Sequence, residues 1–206
     1  MSIPGAASPL FLAAAAAEEA AYQISRSVRF NSSDSAYLSR TPSSAGNRKT
    51  WTWSGWVKKS SIDNSNGRGI FAAGLTLTSD STFFELRFGT AAYRNSIAVG
   101  GYNTNWRITD QVFRDPSAWY HIVLAVDTTQ ATGNDRIKVY VNGAEIEDFV
   151  TSNNPSQNAD LGINNTSAHI IGDGIYDHFD GYLADVHFID GQALAPTDFG
   201  EYDSNN

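Results

Sequence analysis

The chain contains no cysteine, which excludes a disulfide framework and any thiolate metal site. That absence fits synthesis in a reducing cytosol. Basic residues are missing from a long stretch: after Lys138 there is no Lys or Arg at all. Residues 1–138 hold 14 bases and 10 acids, a net +4, whereas 139–206 hold 12 acids and no base. With an overall formal charge of −8, the chain lacks the basic footprint that phosphate neutralisation needs, so nucleic acid is not an expected partner. The acidic third reads either as a solvated surface interleaved with the rest or as a face for cations or a basic neighbour. Long apolar runs are also missing. The segment Leu10–Tyr22, LFLAAAAAEEAAY, meets Glu18 and Glu19 too soon to span a bilayer. No base precedes it, which argues against a secretory signal.

What is present is aromatic residues (12%) and 17 glycines in 206 residues, a length that a β-sandwich often uses as one unit. Residues 1–24 stand apart from the rest. Their Ala-rich run has high helix propensity but is marginal alone in water, so Leu10, Phe11, Leu12 and Tyr22 call for something to pack on. They are read as an assembly element on an N-terminal helical or extended arm. Residues 25–206 form the second unit.

That unit reads as strands. Trp51–Lys59, WTWSGWVKK, alternates, with Trp51, Trp53, Gly55 and Val57 on one face and Trp56 on the other. Trp119–Asp127, WYHIVLAVD, and Arg136–Gly143, RIKVYVNG, form a β-rich pair, the second ending in an Asn-Gly hairpin turn. Phe179–Gly191, FDGYLADVHFIDG, closes the series. Further strands are expected at 25–30, 36–40, 69–73, 83–88, 96–100, 105–109 and 169–172, about a dozen in all. Residues 145–149 should continue the hairpin, and the Asn/Ser-rich 151–165 reads as a loop too polar for the core.

The order of the strands at 119–127, 136–143 and 179–191, together with Trp51–Lys59, resembles the concanavalin A-like lectin/glucanase fold in its laminin-G-like form. The resemblance implies an all-β antiparallel jelly-roll sandwich. Three activities live on that architecture, so function has to be argued from sites. Glucanases of this fold use carboxylates alternating along one strand. The nearest pattern here, Glu145-Ile-Glu147-Asp148, follows the Asn142-Gly143 turn and loses the alternation at Asp148, while Glu85 stands alone in its strand. No catalytic residue is therefore assigned. His121 and His187 sit in apolar strands, His169 begins one, and His178 has no nucleophile with a recognisable setting.

Two binding sets remain. Asp173, Asp177 and Asp180 are the candidates for calcium, which wants several oxygen ligands and which relatives of this fold hold in rim loops. Tyr102, Asn103, Asn105, Trp106 and Arg107 are the candidates for a glycan, with Tyr93 or Tyr176 as possible additions. For Trp106 the alternative is that it fills the sandwich.

Finally, Ser25–Asn31 (SRSVRFN), Ser35–Arg40 (SAYLSR), Arg48–Lys58 and Asp180–Gln192 resemble lectin-like domains in virion proteins of tailed bacteriophages. This implies a non-enzymatic virion subunit (capsid decoration, head fibre or tail-associated), made in the host cytoplasm and joined to other virion proteins or to its own copies through the N-terminal arm. The alternatives are a glycan-binding module for host attachment and an endoglycanase.

Overall fold

The computed structural model describes residues 24–62, 67–74, 78–102 and 104–200. The expectations for Leu10, Phe11, Leu12, Tyr22 and Asn103 lie outside the described residues. Thirteen strands form two antiparallel sheets among the described residues. In chain order they are β1 (Val28–Phe30), β2 (Leu38–Arg40), β3 (Thr50–Lys59), β4 (Arg68–Ala73), β5 (Phe84–Phe88), β6 (Ile97–Gly101), β7 (Thr104–Thr109), β8 (Tyr120–Asp127), β9 (Ile137–Val141), β10 (Ala144–Glu145), β11 (Phe149–Ser152), β12 (His169–Ile171) and β13 (Gly181–Asp190). The six-stranded sheet runs β1-β13-β3-β8-β9-β10, and the seven-stranded sheet β11-β7-β6-β5-β4-β12-β2. Helical structure among the described residues is limited to short 3₁₀ turns, none of which could cross a membrane.

The core is what the alternation in β3 dictates. Trp51, Trp53 and Val57 are fully buried between the sheets. The Trp51 ring meets Phe84 of the opposite sheet edge-on at 5.0 Å and stacks on Phe188 of β13 at 5.8 Å, geometries that aromatic pairs favour. The Asn142-Gly143 turn takes positive φ at both residues, 50° and 82°, as a two-residue hairpin of this hand requires. The strands from the acidic third are threaded between basic ones: β13 lies between β1 and β3, and β12 between β4 and β2. The charge asymmetry along the chain is thus dispersed over the fold.

Two expectations need correcting. The hairpin strand does not run on through 145–149. Ala144 and Glu145 pair back on β9, Ile146 turns in against the core, and Phe149–Ser152 crosses to pair with β7. The 151–165 loop is not all surface either, since Leu161 and Ile163 are fully buried in the core. Each such side chain is worth about 1.5–3 kcal/mol when removed from water, enough to draw a polar segment inward.

Candidate functional site

In β5, Phe84, Leu86 and Phe88 enter the core, so Glu85 and Arg87 project from the outer face of the seven-stranded sheet. The neighbouring strands offer glycines there: Gly69 stands opposite Arg87, and Gly100 opposite Glu85. The absence of side chains lets residues 173–178 lie directly across the strands. Gly69 N–H donates to the Asp177 carbonyl at 3.1 Å. A Cβ on Gly174 would sit 1.9 Å from Glu85 Oε1, so only glycine permits this approach.

Under that bridge Glu85 is wholly buried. Arg87 Nη1 donates to its Oε2 at 2.9 Å and the Ile175 N–H to its Oε1 at 3.2 Å. Loss of water pushes the Glu85 carboxyl above its ordinary range, and the nearby Asp173 charge adds to the rise; Arg87 and the Ile175 N–H oppose both. Arg87 also donates to Asn105 Oδ1 at 2.5 Å, and the Tyr176 ring covers its guanidinium at 5.2 Å. Tyr176 is itself 62% exposed. Beside it Asp173 Oδ1 lies 2.8 Å from His178 Nδ1. Asp177 Oδ2 lies 3.3 Å from Arg68 Nη1, which also donates to the His178 carbonyl. The result is an open aromatic ring fixed over a charged, hydrogen-bonded floor.

The two sequence-derived sets therefore partly merge: Asn105 from one and Asp173 and Asp177 from the other share this face with Tyr176. The remaining members go elsewhere. Trp106 is buried in the core against Phe84, so it is not an exposed sugar platform. Arg107 is also buried. It donates to Asn154 Oδ1 at 2.7 Å and to the carbonyls of Trp106, Asn153 and Ile137, pinning the 153–154 loop and the start of β9 to β7. Tyr102 is half-buried, and its backbone supports Asp80.

The calcium expectation does not fit the donor set. Asp173 Oδ1 accepts from Gly174 N–H at 2.8 Å, and Asp177 pairs with Arg68, a base that comes from another strand and that the local sequence hides. Asp180 is half-buried ahead of β13, its carbonyl accepting from Ser60 N–H. Among the described residues no group of three His, Cys, Asp or Glu side chains is gathered to hold a metal ion.

Most of the remaining carboxylate and histidine candidates are held in structural contacts. Glu145 pairs with Lys138 at 3.1 Å, and Glu147 lies exposed outside any strand. His169 accepts from Asn164 N–H at 2.7 Å while its Nδ1 meets the Ser167 carbonyl at 2.9 Å. On the outer face of the six-stranded sheet, His121 stacks on Trp56 and bonds Ser54 Oγ at 2.9 Å. Ser54 is fully buried, so this pair offers no hydroxyl to a substrate. Arg87 was the residue missed by the sequence reading. Its signal was the FELRF alternation, two opposite charges at i and i+2 in an apolar strand.

The model of the concanavalin A-like lectin/glucanases superfamily matches residues 30–198, most of the chain, and the chain belongs to that superfamily. Among solved structures it is similar to domain 4 of AbnA, a GH43 extracellular arabinanase from Geobacillus stearothermophilus determined with arabinotriose. That match has 18% identity and a TM-score of 0.54, covering 75% of this chain and 68% of that one. It is also similar to the sialidase of Trypanosoma rangeli, with 16% identity and a TM-score of 0.50, over 73% of this chain but only 22% of the sialidase. A heptameric SAP-like pentraxin from Limulus polyphemus matches at 15% identity and a TM-score of 0.48, over 74% of this chain and 68% of that one. At these identities the likenesses concern the fold. No curated protein matches the chain.

Proposed function

We propose that this domain is a non-catalytic binding module that takes a glycan on the outer face of its seven-stranded sheet. The observation that carries the reading is Tyr176. A ring 62% exposed is held in place by Arg87, which Glu85 and Asn105 fix in turn. Sugars present C–H faces to such rings and hydroxyls to neighbouring amides and carboxylates, here Asn105 and the partly exposed Asp177. A few convergent polar groups around an apolar contact are what a small-ligand site needs. The test is saturable binding of purified domain across a panel of polysaccharides, measured by calorimetry. Tyr176→Ala should abolish it. Binding that survives Tyr176→Ala, or no binding by any member of the panel, counts against the reading.

Its proposed setting is the virion of a tailed bacteriophage, as a decoration, head-fibre or tail-associated subunit attached through residues 1–22. The support is the resemblance carried by residues 25–31, 35–40, 48–58 and 180–192, joined to an apolar Ala-rich segment that needs a partner. Purified particles should contain the protein, and deletion of residues 1–22 should release it without unfolding the sandwich. Its absence from particles would refute the setting while leaving the glycan site open.

A further inference from the structure

The five tryptophans divide into two groups. Trp51, Trp53 and Trp106 fill the core. Trp56 and Trp119 are partly exposed, and both line one hollow of about 370 Å³ together with Ala184 and residues 24–27. Strand register explains the hollow. Leu183 of β13 and Val57 of β3 enter the core, so their neighbours Tyr182, Ala184, Trp56 and Lys58 project from the outer face of the six-stranded sheet. Ala184 stands opposite Trp56, and its single methyl group among larger side chains leaves the space open. The Trp56 ring is held in place, for it stacks on His121 at 5.0 Å while His121 bonds Ser54 Oγ.

Bases gather at this end of the face. Arg26 lines the hollow itself. Arg29 stands opposite Tyr182, and Tyr182 opposite Lys58, with the Arg29 guanidinium over the Tyr182 ring at 5.9 Å. None of these three bases makes an ion pair among the described residues. The acids of the region are engaged: Asp185 Oδ1 lies 3.1 Å from His187 Nε2, and Asp115 Oδ1 accepts from the N–H and hydroxyl of Ser117 at 2.7 and 2.6 Å. On a chain of formal charge −8, three such bases beside two open indoles favour an anionic ligand.

We infer that this hollow is a second binding site, for an acidic polysaccharide whose sugars carry carboxylates. Sugar C–H faces rest on the Trp56 and Trp119 rings, which offer large apolar surfaces with a polar edge. A carboxylate meets Arg26, whose planar fork can take both oxygens at once. Ser25 and Ser27 supply hydroxyls that donate or accept as the sugar requires. Nucleic acid is the competing polyanion, and it suits the chain less, because its dense phosphate charge calls for a basic protein. The site lies on the other sheet from Tyr176, so it stands or falls independently of the glycan site proposed there. Ligand charge tells the two apart: neutral polysaccharides report on Tyr176, acidic ones on this hollow.

Calorimetry on the full chain with polygalacturonate and alginate tests the inference, with neutral dextran as the control. Saturable binding of the acidic polymers and not of dextran is expected, weakening as salt is added. Trp119→Ala should abolish it. Arg26→Gln, a change on an exposed side chain that leaves the fold alone, should weaken it about tenfold, the worth of one charged hydrogen bond. Tyr176→Ala should bind both acidic polymers as wild type does. Binding lost in Tyr176→Ala but kept in Trp119→Ala and Arg26→Gln overturns this site and assigns acidic glycans to the seven-stranded face. Failure of wild type to bind either acidic polymer overturns it while leaving the Tyr176 site open. Single-stranded DNA that binds more tightly than polygalacturonate, and is lost in the same two variants, overturns the ligand class.

Discussion

The outer faces of the two sheets are closed in different ways. On the six-stranded sheet the chain's own C-terminal segment lies over the strands. Thr52 Oγ1 donates to the Gln192 carbonyl at 2.7 Å and accepts from Leu194 N–H at 2.8 Å, and Phe199 meets the rings of His121 and His187 at 6.3 and 6.0 Å. On the seven-stranded sheet residues 173–178 seal a charged pair and leave Tyr176 outside. One face ties down its C-terminal segment with neutral hydrogen bonds and carries its ion pairs, such as Lys138–Glu145, at the partly exposed surface. The other holds a buried ion pair, which is costly to desolvate, and uses it to position an exposed ring. That arrangement is the floor that the proposed glycan site requires.

The largest effect should come from breaking the ion pair. Glu85→Ala leaves the Arg87 guanidinium buried without its carboxylate and should cost about 3–5 kcal/mol in urea unfolding. Replacing both, Glu85→Leu with Arg87→Met, should cost far less. Equal losses for the single and double variants would mean that the pair is not the organising element of this face. On the opposite face, Thr52→Val keeps the shape but strands the Gln192 carbonyl and the Leu194 N–H. About 1–3 kcal/mol is expected there, and a loss as large as that of Glu85→Ala would erase the distinction between the two faces.

The faces should also respond to acid. Burial is the largest influence on both His121 and His169, and it holds each below the ordinary histidine value. For His121, Asp185 pulls the other way and His187 reinforces the fall. With a folded pKa below 6.5, the unfolded chain binds the proton first, so stability falls as pH drops through 6.5. His121→Gln should flatten that fall if the six-stranded face contributes to it. Lys59 works in the alkaline range: burial lowers it from 10.5 to about 8. Between these values the unfolded chain holds more protons, so stability should rise from pH 8 toward 10.5 in wild type and not in Lys59→Met. Chemical unfolding at stepped pH reads both.

How much of this was legible in the sequence depends on range. The core face of β3 could be read because Trp51, Trp53 and Val57 spell out a period of two, with Trp56 out of phase on the other face. The fate of Trp106 followed from the same rule, since a tryptophan in an alternating strand fills the sandwich more often than it faces water. Arg107 escaped the rule because β6 shifts register against β7 between Val99 and Gly100, and strand alternation cannot anticipate a bulge. The site itself was hidden by distance along the chain. Glu85 and Ile175 are 90 residues apart, and nothing local to either announces the other. Leu161 and Ile163 were lost for a different reason, as two apolar residues among many Asn and Ser average out to a loop.

The smallest expected effect is the most discriminating. Tyr176 is mostly exposed, and its ring adds only a cation–π contact over Arg87, so Tyr176→Phe should leave the unfolding free energy within about 0.5 kcal/mol of wild type. Glycan affinity should change little as well if the ring face is the contact, because Phe keeps the face and loses only the hydroxyl. Tyr176→Ala should be similarly mild on stability yet remove binding. A ring that mattered for packing would show the reverse order, with Tyr176→Ala costing several kcal/mol. The two variants, measured side by side by unfolding and by calorimetry, separate a face built to hold the protein together from a face built to hold a ligand.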